Sequence, residues 1–393
     1  TRALDRLGVV QTVVTARPDG APSEEPFARH GTVFRVGSPR RRPRQLYSVP
    51  AWRLVPALAR DVDLVHAHIG EDLAVVPIAA SAARRHGIPL VLTIHCSLEH
   101  TLRSVDVRTL MLKLLGAPIE RWGEQRAAAV ITLTERLRSL LVCGGLDAAK
   151  VHAIPSGVEP HLFSASGPRP LPELEGPRVV FVGRLVAAKG VSVLLAATER
   201  LRTRGAHLIY VGDGPERATL ERDAREHGLE DRVHVTGFVP HDRVPSFLLS
   251  ADVLVLPSLY EEMGSIQIEA MEAEVPIVAS RTGGIVDVIR DGENGLLVEP
   301  GAVSQLSEAI DRVLEDRRLA NRLRLAGRMW AANFHWDALA QRVLDVYGSV
   351  LGSDAVARRE RDQRVEVVVS AGSSAVRSES ASPSTRSGPS TRR

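Results

Sequence analysis

The chain has 393 residues, 44% of them hydrophobic and 25% charged but only 4% aromatic, which suits two α/β domains of ordinary size with cores built on Leu, Val, Ala and Ile. A formal net charge of +3 is far from the basic surface that tracking a nucleic-acid backbone requires. Two cysteines, Cys96 and Cys143, are too few for a disulfide framework, and no apolar run reaches the roughly 18 residues of a membrane helix, so a cytoplasmic protein is expected.

In chain order, VVQTVVT (9–15), DLVHAH (63–68), PLVLTIH (89–95) and AAVITLT (128–134) read as buried parallel strands with amphipathic helices between them. The run PRRRPR (39–44) reads as a solvated loop, with contact to an acidic membrane surface as the less favoured alternative. His66 and His68 alternate on one strand and share a face. No third ligand at a metal-like spacing joins them, so packing is preferred to a metal site. His95 ends its strand and should project into whatever crevice the carboxyl edge of the sheet borders, although a lone histidine is as a rule structural.

A second series follows: RVVFVG (178–183), HLIYVG (207–212), RVHVTG (232–237), ADVLVLP (251–257), PIVAS (276–280) and GLLVEP (295–300). The order implies two doubly wound α/β domains facing across a cleft. The expected divisions are an acceptor-side domain at 1–163, a Pro- and Gly-rich linker at 164–177, a donor-side domain at 178–333, a helix at 334–351 and a disordered Ser- and Arg-rich tail at 352–393.

Three lysines among the 50 basic residues make Lys189 conspicuous. It lies with Gly183 and Arg184 in VGRLVAAKG, between a strand and a helix, where amides and cations can converge on phosphate. GDGP (212–215) is most simply a strand-to-helix turn. In YEEMGSIQIEAM, Glu261 falls in a loop and Glu269 one turn into a helix that Ser265 would cap. One carboxylate could accept hydrogen bonds from a ribose diol, while the Met263 and Gly264 amides could hold sugar hydroxyls. The alternative makes both Glu residues solvated helix-end charges. Neither a dinucleotide-binding glycine fingerprint nor a Walker A loop is present.

Together GRLVAAKG, GDGP, VHVTGFVP, ADVLVLPS, the pair Glu261 and Glu269, VPIVAS and TGGIVDVIRDGENGLLVEPG resemble the family-4 retaining glycosyltransferases of GT-B fold. DLVHAH, HGIPLVLTIHCS and AAVITLTERLRSLL fit the more variable first domain. The resemblance implies that Arg184 and Lys189 grip a UDP-sugar diphosphate, Glu269 holds the ribose, and Glu261 with Met263 and Gly264 binds the sugar. It further implies that His95 reaches that sugar from the opposite domain, that Phe238 and Val239 line the base pocket, and that helix 334–351 crosses back to the first domain. The UDP-sugar is a co-substrate; no further cofactor and no metal are implied.

IHCS, TLTER and YEEMGS are similar to glycosyltransferases of aminoglycoside antibiotic assembly acting on 2-deoxystreptamine-type aminocyclitols, so the partners expected are a nucleotide-sugar and a small polar acceptor. The alternatives are a lipid or inositol glycosyltransferase at a membrane surface and a non-catalytic nucleotide-sugar-binding protein. Three departures from the family stand out. The chain opens within the helix that normally follows a first strand and its glycine-rich loop, so that strand is expected to be missing. Asp287 replaces a usual Glu, and Glu274 stands where a helix-ending Gly is usual.

Overall fold

The computed structural model describes residues 1–18, 20–37, 48–70, 72–100, 107–164, 169–352 and 364–370. The basic run at 39–44 lies outside them.

The first domain contains α1 (Arg2–Arg6), β1 (Val9–Ala16), β2 (Glu24–Phe27), β3 (Gly31–Val36), α2 (Ser48–Leu58), β4 (Leu64–Ile69), α3 (Val75–His86), β5 (Leu90–Ile94), α4 (Val107–Arg126), β6 (Ala129–Thr132), α5 (Glu135–Cys143) and β7 (Val151–Ala153). The second contains β8 (Arg178–Val182), α6 (Val191–Glu199), β9 (His207–Val211), α7 (Arg217–Glu226), β10 (Val233–Val235), α8 (Val244–Leu248), β11 (Val253–Leu256), α9 (Ile266–Glu272), β12 (Ile277–Ser280), α10 (Ile285–Val288), β13 (Leu296–Val298), α11 (Val303–Glu315) and α12 (Arg317–Ala331). Helix α13 (Trp336–Leu351) and strand β14 (Arg364–Ser370) follow.

Among the described residues the second sheet runs β10-β9-β8-β11-β12-β13, all parallel. Its strands are apolar on both faces because both are covered: Val191, Leu194, Leu306 and Ile310 pack on one, Val244, Leu248, Ile268 and Met271 on the other. The linker is held to this domain by the buried Arg178, whose guanidinium donates to the carbonyls of Pro170 at 2.6 Å and Leu171 at 2.7 Å.

The first sheet runs β2-β3-β1-β14-β4-β5-β6-β7, parallel except for β2 against β3. One expectation is corrected here. Arg364–Ser370, assigned above to a disordered tail, is a strand between β1 and β4, with Val367 opposite Thr12 on one side and Val65 on the other. The VEVVVS run is the one apolar stretch of an otherwise polar tail, and its order comes from backbone pairing with the facing edges of β1 and β4, which local composition does not encode. Residues 353–363 and 371–393 lie outside the described residues.

Helices α2, α3 and α5 cover one face of this sheet through Ala51, Val55, Ile78, Ala79 and Leu137. The other face is closed by Leu4 of α1 and by Leu339, Val346 and Tyr347 of α13, so the last helix does cross back. Its return is stitched to the outgoing chain, since Val158 N donates to Phe334 O at 2.9 Å and Trp336 N to Val158 O at 3.2 Å.

Just past the end of α9 and its cap residue Ala273, Glu274 has a φ of 57°, which places a side chain in left-handed space where glycine fits without cost.

Candidate active site

Three glycines fix how the strand-end loops of the second domain pack. A Cβ on Gly212 would lie 1.9 Å from the Gly183 carbonyl oxygen, one on Gly214 2.3 Å from that of Leu185, and one on Gly190 1.9 Å from that of Pro257. The GDGP glycines thus serve close backbone packing, in keeping with the turn reading. The loop carrying Arg184 and Lys189 is in turn tied to the loop after β11 by Leu259 N donating to Ala188 O at 2.9 Å.

That tie brings Lys189 onto Glu261, and the ammonium and carboxylate form a short ion pair with both side chains largely sheltered. The Glu261 backbone is held as tightly. Gly284 N donates to its carbonyl at 3.1 Å, and a Cβ on Gly283, at φ 52°, would overlap the same oxygen at 1.6 Å. Gly264, at φ 67°, leaves room for the Glu261 side chain, which a Cβ there would meet at 3.1 Å. The exposed Arg184 guanidinium makes no hydrogen bond or ion pair to the described residues and stands open at the same loop.

Glu269 sits in the first turn of α9 with Oε2 buried and unpartnered among the described residues. Burial pushes its carboxyl above the usual range, and His241 pulls it partly back. A buried acceptor left unfilled costs free energy unless water or a ligand supplies a donor, which makes Glu269 a candidate binding group. Ser265 is the residue before α9, but its hydroxyl makes no cap hydrogen bond, contrary to the expected cap. Its own φ and ψ are helical, which removes the extended geometry that a capping side chain needs.

Gly237 bridges Gly212, placing Phe238 beside the GDGP turn with 65% of its surface exposed. Val239 instead packs into the apolar cluster under the sheet. Met263 is buried there too, and its sulfur accepts a hydrogen bond from Ser156 N of the first domain at 3.2 Å.

On the first domain His95 follows β5 and shares a 2.9 Å hydrogen bond with His68, their Nε2 and Nδ1 facing each other. The ring is accessible to water, yet the surrounding protein lowers its pKa, as befits a residue on the floor of a cleft. His66 stacks on His68 at 4.4 Å and is fixed by Tyr347 at 2.6 Å and Thr93 at 2.7 Å. Burial, reinforced by His95, drives the His66 pKa down to about 3. These are neutral, positioned rings, and among the described residues no group of three ligating side chains could hold a metal ion. No helix of the described residues is long and apolar enough to cross a membrane.

The sequence reading passed over Thr134, Tyr260 and Glu262. Thr134 Oγ1 donates across the domain boundary to Glu262 Oε1 at 3.2 Å, and Tyr260 OH donates to Glu262 Oε2 at 2.8 Å. Only the doubled Glu in YEEM hinted at this.

Residues 1–162 match the family described as Glycosyltransferase Family 4, and residues 168–330 the family described as Glycosyl transferases group 1. The 2-deoxystreptamine glucosyltransferase of Streptomyces kanamyceticus is 34% identical over 383 residues, spanning 90% of this chain and 98% of that protein. The chain belongs to the family-4 glycosyltransferases. The 2-deoxystreptamine N-acetyl-D-glucosaminyltransferase of Streptomyces fradiae is 32% identical to this glycosyltransferase, over 78% of this chain and 71% of its own. Among solved structures, the sucrose-phosphate synthase of Thermosynechococcus elongatus superposes with a TM-score of 0.73 at 25% identity, covering 88% of this chain and 90% of its own. The architecture of the family-4 enzyme is GT-B.

Proposed function

We propose that this glycosyltransferase moves a hexosyl unit, glucose or N-acetylglucosamine, from a UDP-sugar to an aminocyclitol of the 2-deoxystreptamine type, with retention at the anomeric carbon and without a metal ion. The observation that carries the donor half is the convergence of Arg184, Lys189, Glu261 and the unpartnered Glu269 at the carboxyl ends of β8 and β11. The acceptor half rests on the names of the two streptomycete relatives above.

In this reading the Glu269 carboxylate accepts hydrogen bonds from both ribose hydroxyls, and Phe238 stacks against the base. Lys189 exchanges Glu261 for the diphosphate, where with Arg184 it stabilises the negative charge that grows as the anomeric bond breaks. Glu261, released, takes a sugar hydroxyl beside the Met263 and Gly264 amides. The acceptor hydroxyl attacks from the face the diphosphate leaves, and a departing phosphate oxygen takes its proton, so no protein nucleophile is used. Two fixed cations do the charge work for which other enzymes employ a divalent ion. Neutral His95 meets the sugar from the opposite side.

The test is a thermal-shift screen with UDP-, GDP-, ADP- and dTDP-sugars, followed by mass spectrometry of the product with 2-deoxystreptamine and with inositol phosphate as acceptors. Stabilisation by a UDP-hexose, and UDP release with a glycosylated aminocyclitol of retained configuration, is the expected result. Nucleotide-sugar binding without any glycosylated product would instead identify a binding protein.

A further inference from the structure

Glu262 faces away from its neighbour. Whereas Glu261 turns to Lys189 within its own domain, Glu262 receives Thr134 Oγ1 from the other domain at 3.2 Å and Tyr260 OH at 2.8 Å. Thr134 is the N-cap of α5, and the hydroxyl that donates to Glu262 accepts from Leu137 N at 3.2 Å. The same helix end is gripped twice more. Asp287 faces the amides of Glu135 and Arg136, which favour its ionised form against the burial that raises its pKa, and Arg136 lies beside the Tyr260 hydroxyl. Unfilled amides and the helix dipole favour carboxylates at this position.

The seam admits nothing larger than it holds. A Cβ on Gly284 would lie 2.5 Å from Thr134 Cγ2 and 2.0 Å from the Glu262 carbonyl oxygen. Loop 260–264 is therefore clamped between the Gly283-Gly284 turn and the first turn of α5.

We propose that Glu262 is a positioning residue that fastens the loop bearing Glu261, Met263 and Gly264 to the N-terminus of α5, so that the sugar-binding loop takes its working shape only when the two domains are closed. This rests on the donor reading given above. Glu262 itself touches no reacting atom; it acts through Glu261 and through closure, which keeps water from the donor's anomeric carbon.

The experiment compares Glu262→Ala, Glu262→Gln, Thr134→Val and the Thr134→Val/Glu262→Ala double variant in the full chain. Its readouts are kcat, donor KM, and the fraction of donor lost to water rather than transferred. Glu262→Ala should lower kcat about tenfold and raise that fraction while donor KM stays near the parent value. Glu262→Gln, whose one amide oxygen accepts from one hydroxyl while its NH2 can donate to the other, should recover part of the loss. The double variant should be no worse than the poorer single one.

An unchanged kcat and water fraction in Glu262→Ala, or full additivity with Thr134→Val, would overturn the inference while leaving the donor reading intact. A parent chain that binds no nucleotide-sugar would remove both. Melting temperatures of the variants separate loss of the clamp from loss of the fold.

Discussion

Lys189 and Glu261, 72 residues apart in sequence, neutralise one another between the loops that follow β8 and β11. Each is thus held in place, and Ser258 Oγ also donates to the Glu261 carboxylate at 3.5 Å.

The pair yields an asymmetric prediction. Lys189→Ala should weaken UDP binding and lower kcat/KM by about 100-fold or more. Glu261→Ala should abolish transfer to a similar degree yet leave UDP bound as tightly as in the parent or tighter, because the ammonium no longer has a competitor. Calorimetric titration with UDP, set beside turnover, separates the two.

Glu269 should make donor binding dependent on pH. Burial holds its carboxyl above the ordinary range, and the ionised form is the better acceptor for ribose hydroxyls. Affinity for UDP is therefore expected to rise with pH through the weakly acidic range. In Glu269→Gln that slope should vanish, with affinity about tenfold or more below the parent plateau. Titrations at several pH values check this.

Glu274→Gly should stabilise the protein. The left-handed backbone at φ 57° costs a side chain about 1 kcal/mol, and the ion pair with Arg324 at 3.2 Å joins two exposed side chains and offsets little of it. A rise of about 2–4 °C in Tm is expected by calorimetry.

Glu124, on α4, is buried beside Glu120 and Glu99, and burial followed by those two charges raises its pKa to about 8. A group that binds its proton more tightly when folded favours the folded state while protonated. That contribution is complete below the ordinary carboxylate value of 4.5 and is lost as pH climbs to about 8. The loss should be on the order of a few kcal/mol. Glu124→Gln should flatten the decline of Tm between those limits and be the more stable protein at pH 8.

The second domain was legible because its strands are covered on both faces and so appear as unbroken apolar runs, each closed by a small residue. All six, from β8 to β13, lie where RVVFVG through GLLVEP placed them. The first domain was less so. β2 is an edge strand, EEPF, whose Pro26 and exposed Glu24 carry no apolar run, and β14 lay in a segment too polar to fold by itself. In the site, residues whose chemistry acts locally, such as Lys189 and Glu269, announced themselves by motif. Thr134, Tyr260 and Glu262 did not, because their meaning is a contact between domains, and no spacing along the chain encodes that.

Strand β14 has a further consequence, for the order in which the molecule assembles. β1 pairs with a partner more than 350 residues downstream, Val9 lying opposite Arg364. The second domain has all six of its strands before that partner emerges from the ribosome, so the pairing of β14 with β1 and β4 is among the last contacts to form. A pairing across so long a separation is slow to form, because loop-closure entropy is lost before the contacts reward it.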